Sequence, residues 1–397
     1  MVAAIVPTPS ESTITSTESS IRIPKVKKIR VLLNEHDTAT EKKFIIKAAN
    51  GFILESPAES GNTALYQKGE LHLLCKNDNL YLRCHDHQYR RIKYNNIEIC
   101  DTNNKITIGS YSYQGSLIIQ LDKTNKKVLV INKLPLEDYV YSVVRYESIP
   151  SWPLNSQKIQ AIVSRTYAVF LMQQARQNKL HPCFYDIKNT TMHQVYNGTH
   201  NYNRIRQAID ETAGMIITYK GHIALTMFDS CCGGSVPSLM YNRETSKPYL
   251  CRHERCLYCQ KSPSFRWKID LPEKALLGKL KASQHLARKL KSVKAIKDIK
   301  VVKVDKAGLV LRVAITDQSN RTITIAGNDM RWTMSSRIKS LSFSVKKIRD
   351  RIVIAGKGYG HQRGLCQWGS NEQVHQGRNI RDILSFYYPG TKISKLL

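Results

Sequence analysis

The sequence predicts an α+β fold, and three observations carry that prediction. Short strands separated by Gly, Asn and Asp turns fill residues 28–132. Two helical stretches then follow one another, and a second strand-rich part closes on a Gly-rich loop. These blocks mix without the strand–helix–strand rhythm of a parallel sheet, and no internal repeat appears. Residues 1–24, biased to Ser, Thr and Pro, read as a disordered leader. Residues 25–132 read as a strand-rich N-terminal part, 133–270 as a catalytic core, and 271–397 as a basic helical segment followed by strands and the Gly-rich loop.

Taken in order, KIRVLL (28–33) and FIIKA (44–48) are expected strands. LHLLC, LYLRC, ITIGSYSYQGSLIIQL and KVLVIN follow, each bounded by turn residues. LPLEDYVYSVVRYES is an expected helix, because Leu136, Val140, Val143, Val144 and Glu147 recur at offsets that put all five on one face. Pro150 and Pro153 end it. The spacing predicts a second helix over 155–177, with Asn155 or Ser156 as cap and Ala161, Ser164, Ala168, Leu171 and Ala175 as its packing stripe. A third is expected over 203–214, stopped by Gly214, then a hairpin around Lys220-Gly221. Residues 271–290 read as a basic helical segment. VVKVDKAGLVLRVAIT and LSFSVKKIRDRIVIAG read as hairpins, and a short helix ends at Tyr387-Tyr388-Pro389-Gly390.

The 397 residues carry 61 Lys+Arg against 31 Asp+Glu, a net charge of +30. Such a field favours a polyanionic partner. Nucleic-acid, KH, RNP and zinc-finger signatures are all missing, so charge alone does not indicate nucleic acid. No apolar run reaches the length of a transmembrane helix, and the N-terminus lacks the basic head and apolar stretch of a standard signal peptide.

Four motifs carry chemistry. In the first, Glu147 ends an apolar stripe, where desolvation raises a carboxyl pKa toward the range of a general acid; Arg145 is a nearby partner in sequence. The following helix carries Gln160, Arg165, Thr166 and Tyr167 among small apolar residues. The second is GKGYGHQRGLCQWGS (356–370), whose five glycines allow close backbone approach. Its His361, Gln367 and Trp368 suit a sugar, by stacking and hydrogen bonding, better than a nucleotide, since the Walker spacing is missing. The third is DSCCGGS (229–235), with Gly233 and Gly234. The fourth is Cys251-x4-Cys256-x2-Cys259, about twenty residues beyond Cys231 and Cys232. Two such clusters fit tetrahedral zinc; disulfides fit the same residues in an oxidising compartment. Cys75, Cys84, Cys100, Cys183 and Cys366 read as small core residues.

Together with HQVYNG, MSSRIKSLSF and ILSFYYPGT, these motifs resemble the stage II sporulation protein D (SpoIID/LytB-domain) family of peptidoglycan lytic transglycosylases, from about Lys28 to the C-terminus. The resemblance implies that Glu147 is the catalytic acid. It implies that Gln160, Arg165, Tyr167, Gln194, Tyr196, Gly233, Gly234, His361, Gln367 and Trp368 bind substrate in a groove between the helix pair and the Gly-rich loop. A structural Zn²⁺ would be held by Cys232, Cys256 and Cys259, with Cys251 as fourth ligand and Cys231 or Asp229 as alternatives. The product implied is a 1,6-anhydro muramic ring, made with one carboxylate because the sugar's own C6 hydroxyl attacks. Glu137 and Asp138 read instead as helix N-terminal acids.

Partners implied are glycan strands, an amidase and other division or wall-remodelling proteins, in the bacterial cell envelope. One lactyl carboxylate per disaccharide would give the +30 chain a polyanion whose binding weakens with salt. Gln362 and Arg363 depart from the family's Gly-rich loop and favour an alternative, a non-catalytic glycan- or envelope-binding scaffold of the same fold.

Overall fold

Period-two burial makes strands of the first part of the chain, and 3.6-residue burial makes the helices that follow. The computed structural model describes residues 27–396 apart from 50, 56–68, 84–87, 178–182, 192, 242–244 and 335–336. The expected leader and Cys84 lie outside the described residues. The architecture is α+β, in two compact units formed by residues 27–224 with 393–396 and by residues 225–392. The segment 133–270 is therefore divided between the two units.

In the first unit, β1 (Lys28–Asp37), β2 (Lys42–Ala48), β3 (Phe52–Glu55), β4 (Gly69–Lys76), β5 (Asn79–Arg83), β6 (Tyr89–Arg91), β7 (Asn96–Ile108), β8 (Tyr111–Asp122) and β9 (Lys127–Pro135) form one sheet. Its order is β10-β1-β9-β8-β7-β2-β4-β5-β6, with β3 on β7; only β10 (Ile187–Lys188) pairs in parallel, with β1. Strand β9 runs straight into α1 (Leu136–Glu147), which is followed by α2 (Leu154–Gln177) and α3 (Asn203–Glu211). The stripe Leu136, Val140, Val143 and Val144 packs against Ala161, Ala168, Val169 and Met172 of α2 and against Ile29, Val31 and Leu134 of the sheet. Helix α2 begins at Leu154, directly after Pro153, one residue before the expected cap. It is buried on every side from Ile159 to Val169, so its polar residues must find partners inside the protein.

The chain turns after α3 at Gly214 (φ +72°) into the expected hairpin, β11 (Met215–Tyr219) and β12 (His222–Ile223). Lys220 and Gly221 both take positive φ at its turn, the backbone that matches strand twist in two-residue hairpins.

In the second unit, β13 (Phe228–Asp229) precedes β14 (Arg266–Pro272), α4 (Glu273–Ala282) and α5 (Gln284–Leu290). Then come β15 (Ile296–Val304), β16 (Val310–Asp317), β17 (Thr322–Ala326), α6 (Gly327–Thr333), β18 (Phe343–Ile348) and β19 (Arg351–Lys357). The unit closes with β20 (Leu365–Cys366), α7 (Gln367–His375) and α8 (Ile380–Tyr387); a last strand, β21 (Lys392–Lys395), pairs with β11.

Two three-stranded sheets, β14-β19-β18 and β15-β16-β17, share a core with α4 and α5. The expected helix over 271–290 is in fact the end of β14 and two helices broken at Ser283, whose backbone is extended. A continuous helix would turn Leu286 about 240° away from Leu280. The break lets Leu276, Leu280, Leu286 and Leu290 all enter one core.

Candidate active site

In the first unit, Glu147 is the last residue of α1 and only 6% exposed. Ser148 ends the helix: its N–H and its hydroxyl both donate to Val144 O, and Oγ also meets Gln157 Oε1 at 2.7 Å. Beyond α2, the chain segment after β10 returns along α1, and Val195 N–H donates to Glu147 Oε1 at 2.8 Å. Burial raises the Glu147 pKa to about 7, against the opposing pull of that N–H, which favours the carboxylate. Arg145, adjacent in sequence, lies over the rings of Tyr146 and Tyr202.

The other acids of α1 are matched by arginines. Arg165, fully buried on α2, donates Nε–H to Glu137 Oε1 at 2.9 Å and Nη2–H to Oε2 at 2.6 Å, while Nη1–H reaches Met215 O at 3.1 Å. Arg206 meets Asp138 at 3.4 Å and lies over the Tyr141 ring. The expected helix-end acids are therefore also ion-pair acids.

Five residues expected to bind substrate form the packed framework around Glu147. Gln160 donates to Ser164 Oγ at 3.0 Å. Gln194 accepts from Tyr139 OH at 3.0 Å and donates to Ser164 O at 3.3 Å. Tyr196 OH donates to Asn132 Oδ1, and its N–H to Asn189 Oδ1 at 2.8 Å. Tyr167 is buried beside Glu147, whose charge adds to the burial that raises its phenol pKa. Gln160, Gln194, Tyr196 and Arg165 thus bond protein groups, and the Tyr167 hydroxyl is buried. Polar residues on a helix buried on all sides are recruited by their neighbours.

In the second unit, the DSCCGGS and GKGYGHQRGLCQWGS segments, 120 or more residues apart in sequence, come together. Strand β13 pairs in parallel with β20, and Cys231 bridges Tyr359. The approach depends on glycine: a Cβ on Gly233 (φ +62°) would lie 2.8 Å from Gly358 N, and one on Gly360 2.3 Å from Asp229 Cβ. His361 is a clamp for this loop. Its Nδ1 accepts Arg363 N–H at 3.1 Å, and the ring also hydrogen-bonds the Phe228 backbone. Burial, with Arg363 and Arg331 nearby, lowers its pKa to about 3 and keeps it neutral.

Gln362 sits at positive φ (66°), donates its N–H to Asp229 Oδ2 and its side chain to Cys232 O at 2.9 Å. Of the three loop side chains expected at the ligand, His361 and Gln367 are mostly buried and Trp368, at the start of α7, is half-buried. Burial raises the Asp229 carboxyl to about 8, so it is protonated at neutral pH.

Beside this loop lie four buried thiols, Cys232, Cys256, Cys259 and Cys366, with sulfur atoms all within 4.8 Å of one another. Cys232 Sγ and Cys259 Sγ are 3.8 Å apart, the edge of about 3.8 Å expected for a tetrahedron with metal–sulfur bonds near 2.3 Å. Cys366 Sγ accepts Cys232 N–H at 3.3 Å, and Tyr387 OH lies 3.3 Å from Cys256 Sγ. Hydrogen bonds from the neighbouring thiols pull the Cys256 pKa down, while burial holds that of Cys366 up. Four thiolates cannot coexist here without a cation, and the closed, sulfur-only donor set suits a structural metal.

The fourth member corrects the expectation. Cys251 lies outside the cluster and is part-exposed, Cys231 Sγ is directed to Cys259 O, and Asp229 bonds Gln362. Cys366 was read as a core thiol because it lies 107 positions beyond Cys259 and belongs to no CxxC spacing; only the β13–β20 pairing brings it in.

Comparison with known proteins fits this geometry. A family model described as SpoIID, Stage II sporulation protein, matches residues 124–219, which include α1, α2 and Glu147. A domain of unknown function (DUF8618) matches 243–364. The chain is 34% identical over 300 residues to an uncharacterized protein of Brachyspira hyodysenteriae, covering 74% of this chain and 76% of that one. It is 26% identical over 284 residues to Stage II sporulation protein D of Bacillus subtilis (67% and 76% covered). It is 24% identical over 335 residues to the amidase enhancer of the same organism, where 74% of this chain spans only 45% of the relative. A buried acid at the end of α1, inside the matched segment, and two-thirds-length relatives lead to one statement of kinship: the chain belongs to the SpoIID family.

Proposed function

We propose that the protein is a peptidoglycan lytic transglycosylase, acting on MurNAc–GlcNAc strands in cell wall remodelling or division. The observation that carries this reading is Glu147: a carboxyl 6% exposed, with its pKa raised to about 7 and one oxygen held by Val195 N–H. Protonated, it gives its proton to the glycosidic oxygen as the C1–O bond breaks. The resulting carboxylate accepts the proton of the muramic C6 hydroxyl, whose oxygen bonds C1 and closes the 1,6-anhydro ring. One group therefore acts as acid and then base, which a pKa near the working pH favours. A hydrolase of the usual kind needs a second free carboxylate. The nearest acids on α1, Glu137 and Asp138, are matched with Arg165 and Arg206.

Family membership supports a cell wall role and action on the extracytoplasmic side of the envelope. The relative named amidase enhancer supports an interplay with an amidase, which would supply strands stripped of their peptides. We assign the four-thiol cluster to a structural Zn²⁺ that fastens the Gly-rich loop through Cys232 and Cys366. The bulk of Gln362 has a framework explanation in its bonds to Asp229 and Cys232, which weakens the scaffold alternative.

The test is to incubate the protein and its Glu147→Gln variant with peptide-free glycan strands and read the products by mass spectrometry. Anhydro-muramic ends from the wild type alone are expected; equal yields from both would remove Glu147 from its role.

A further inference from the structure

Residues 266–357 hold 23 lysines and arginines against 7 acids, a net +16 in less than a quarter of the chain. The edge strand β15 presents part of this charge together with apolar side chains. Its pairing with β16 shifts register between Val301 and Lys303 and again between Lys303 and Val304. Bulges re-aim side chains, and here Val302, Lys303 and Val304 are all exposed, the two valines at 49% and 51%.

Lys303 faces Arg312 directly across the ladder, and both are exposed. Like charges in that position repel, and among the described residues neither pairs with an acid.

Two exposed aromatic residues belong to segments that adjoin this end of the sheet. Val304 pairs with Val310, and Asp305 Oδ2 accepts the N–H of Tyr241, which is 76% exposed. Helix α6 starts against Val310, since a Cβ on Gly327 would lie 2.2 Å from Val310 O. Trp332, five residues further along α6 and so about 7–8 Å on, is 50% exposed. Lys300 and Lys306 flank the group and are exposed.

We infer that this end of the β15–β16 sheet, with Tyr241, Val302, Val304 and Trp332 ringed by Lys300, Lys303, Lys306 and Arg312, docks on the surface of an anionic lipid bilayer. Tyr and Trp are the side chains that settle at the headgroup level, with an apolar body inward and a polar edge toward water. Lysines beside them neutralise the surface charge of acidic lipids. A glycan strand or a nucleic acid would match the cations but leave two exposed valines without a partner. The contact is peripheral, and it is independent of the chemistry proposed for Glu147.

Flotation of the full chain with vesicles tests it, comparing phosphatidylcholine alone with an equimolar mixture containing phosphatidylglycerol. Binding is expected to the mixed vesicles only. A Lys303→Gln/Arg312→Gln variant should bind roughly 30-fold more weakly, from the loss of two surface cations. A Tyr241→Ser/Trp332→Ser variant should bind roughly tenfold more weakly even at low salt, as buried apolar area is lost. All four positions are exposed, so unchanged melting curves are expected.

Equal binding to both vesicle types, no binding, or full binding by the aromatic variant would each overturn the inference. So would a concentration-dependent dimer abolished by Trp332→Ser, which would make a second copy the occupant. Binding of peptide-free glycan that falls with these substitutions, while vesicle binding does not, would assign the surface to glycan. The Glu147→Gln variant should float as the wild type does, so loss of activity and loss of docking are read separately.

Discussion

Glu147 shows how one side chain's surroundings set its chemistry. Its carboxyl closes an apolar stripe, and burial outweighs the Val195 N–H that favours its charge. Activity should therefore fall as pH rises through about 7, where the acid form is lost. Stability should move the same way. A pKa raised in the folded state gives stability that is full below the unfolded-state value near 4.5 and lost as pH climbs through the folded value of about 7. At 1.36 kcal/mol per unit, the wild type loses roughly 3 kcal/mol across that window.

Glu147→Gln keeps an acceptor for Val195 and carries no charge. We expect it to match the wild type in stability near pH 4.5 and to exceed it by roughly 2–3 kcal/mol above pH 8. Urea titrations at the two pH values check this, and a pH-independent difference would contradict it. At the same scale, helical spacing alone placed Glu147 at the end of the α1 stripe, where the structure has it. The protein partners of Gln160, Arg165, Gln194 and Tyr196 were not legible in the same way, because a polar residue type does not reveal which distant group it meets.

Elements give those buried polar residues a structural purpose. Arg165 ties α2 to the first turn of α1 and to the start of β11. Removing one member of such a pair leaves the other charge without its match. Arg165→Met should cost roughly 2–4 kcal/mol, moderated by the partial exposure of Glu137. The double variant Arg165→Met/Glu137→Gln should recover part of the loss. Denaturant unfolding of the two variants checks this, and equal losses would dismiss the pair as a cause.

Helix α7 places Gly369 against the thiols: a Cβ there would lie 2.7 Å from Cys256 Sγ and 2.4 Å from Tyr387 OH. Gly369→Ala should accordingly lower bound zinc and the melting temperature, whereas Gly377→Ala, where a Cβ meets nothing within 4 Å, leaves zinc unchanged. Elemental analysis reads both. Most helices and hairpins of this chain were legible in order and type. The exception, 271–290, failed because its leucines occur at helical spacing on each side of Ser283 but not across it.

For the whole molecule, two compact units and one thiol centre lead to a further expectation. The four cysteines all belong to residues 225–392, so chelation should lower the unfolding transition of that unit and leave the other in place. Calorimetry with and without a chelator tests this; a shift of both transitions, or of neither, would count against a structural metal. Cys366→Ser should abolish zinc binding, and Cys251→Ser should leave about one zinc per chain. With a net charge of +30, glycan binding should also weaken as salt rises.

By itself the sequence determined the α+β class, the apolar stripe ending in Glu147, the hairpin at Lys220-Gly221 and three of the four clustered thiols. All are local patterns, written at spacings of two to four residues or as short Cys motifs. Only the tertiary structure decided that Val195 holds Glu147, that Arg165 serves Glu137, and that Cys366 rather than Cys251 completes the thiol cluster. Each of those contacts joins residues 28 to 134 positions apart, and chain topology brings them together at distances no local periodicity encodes.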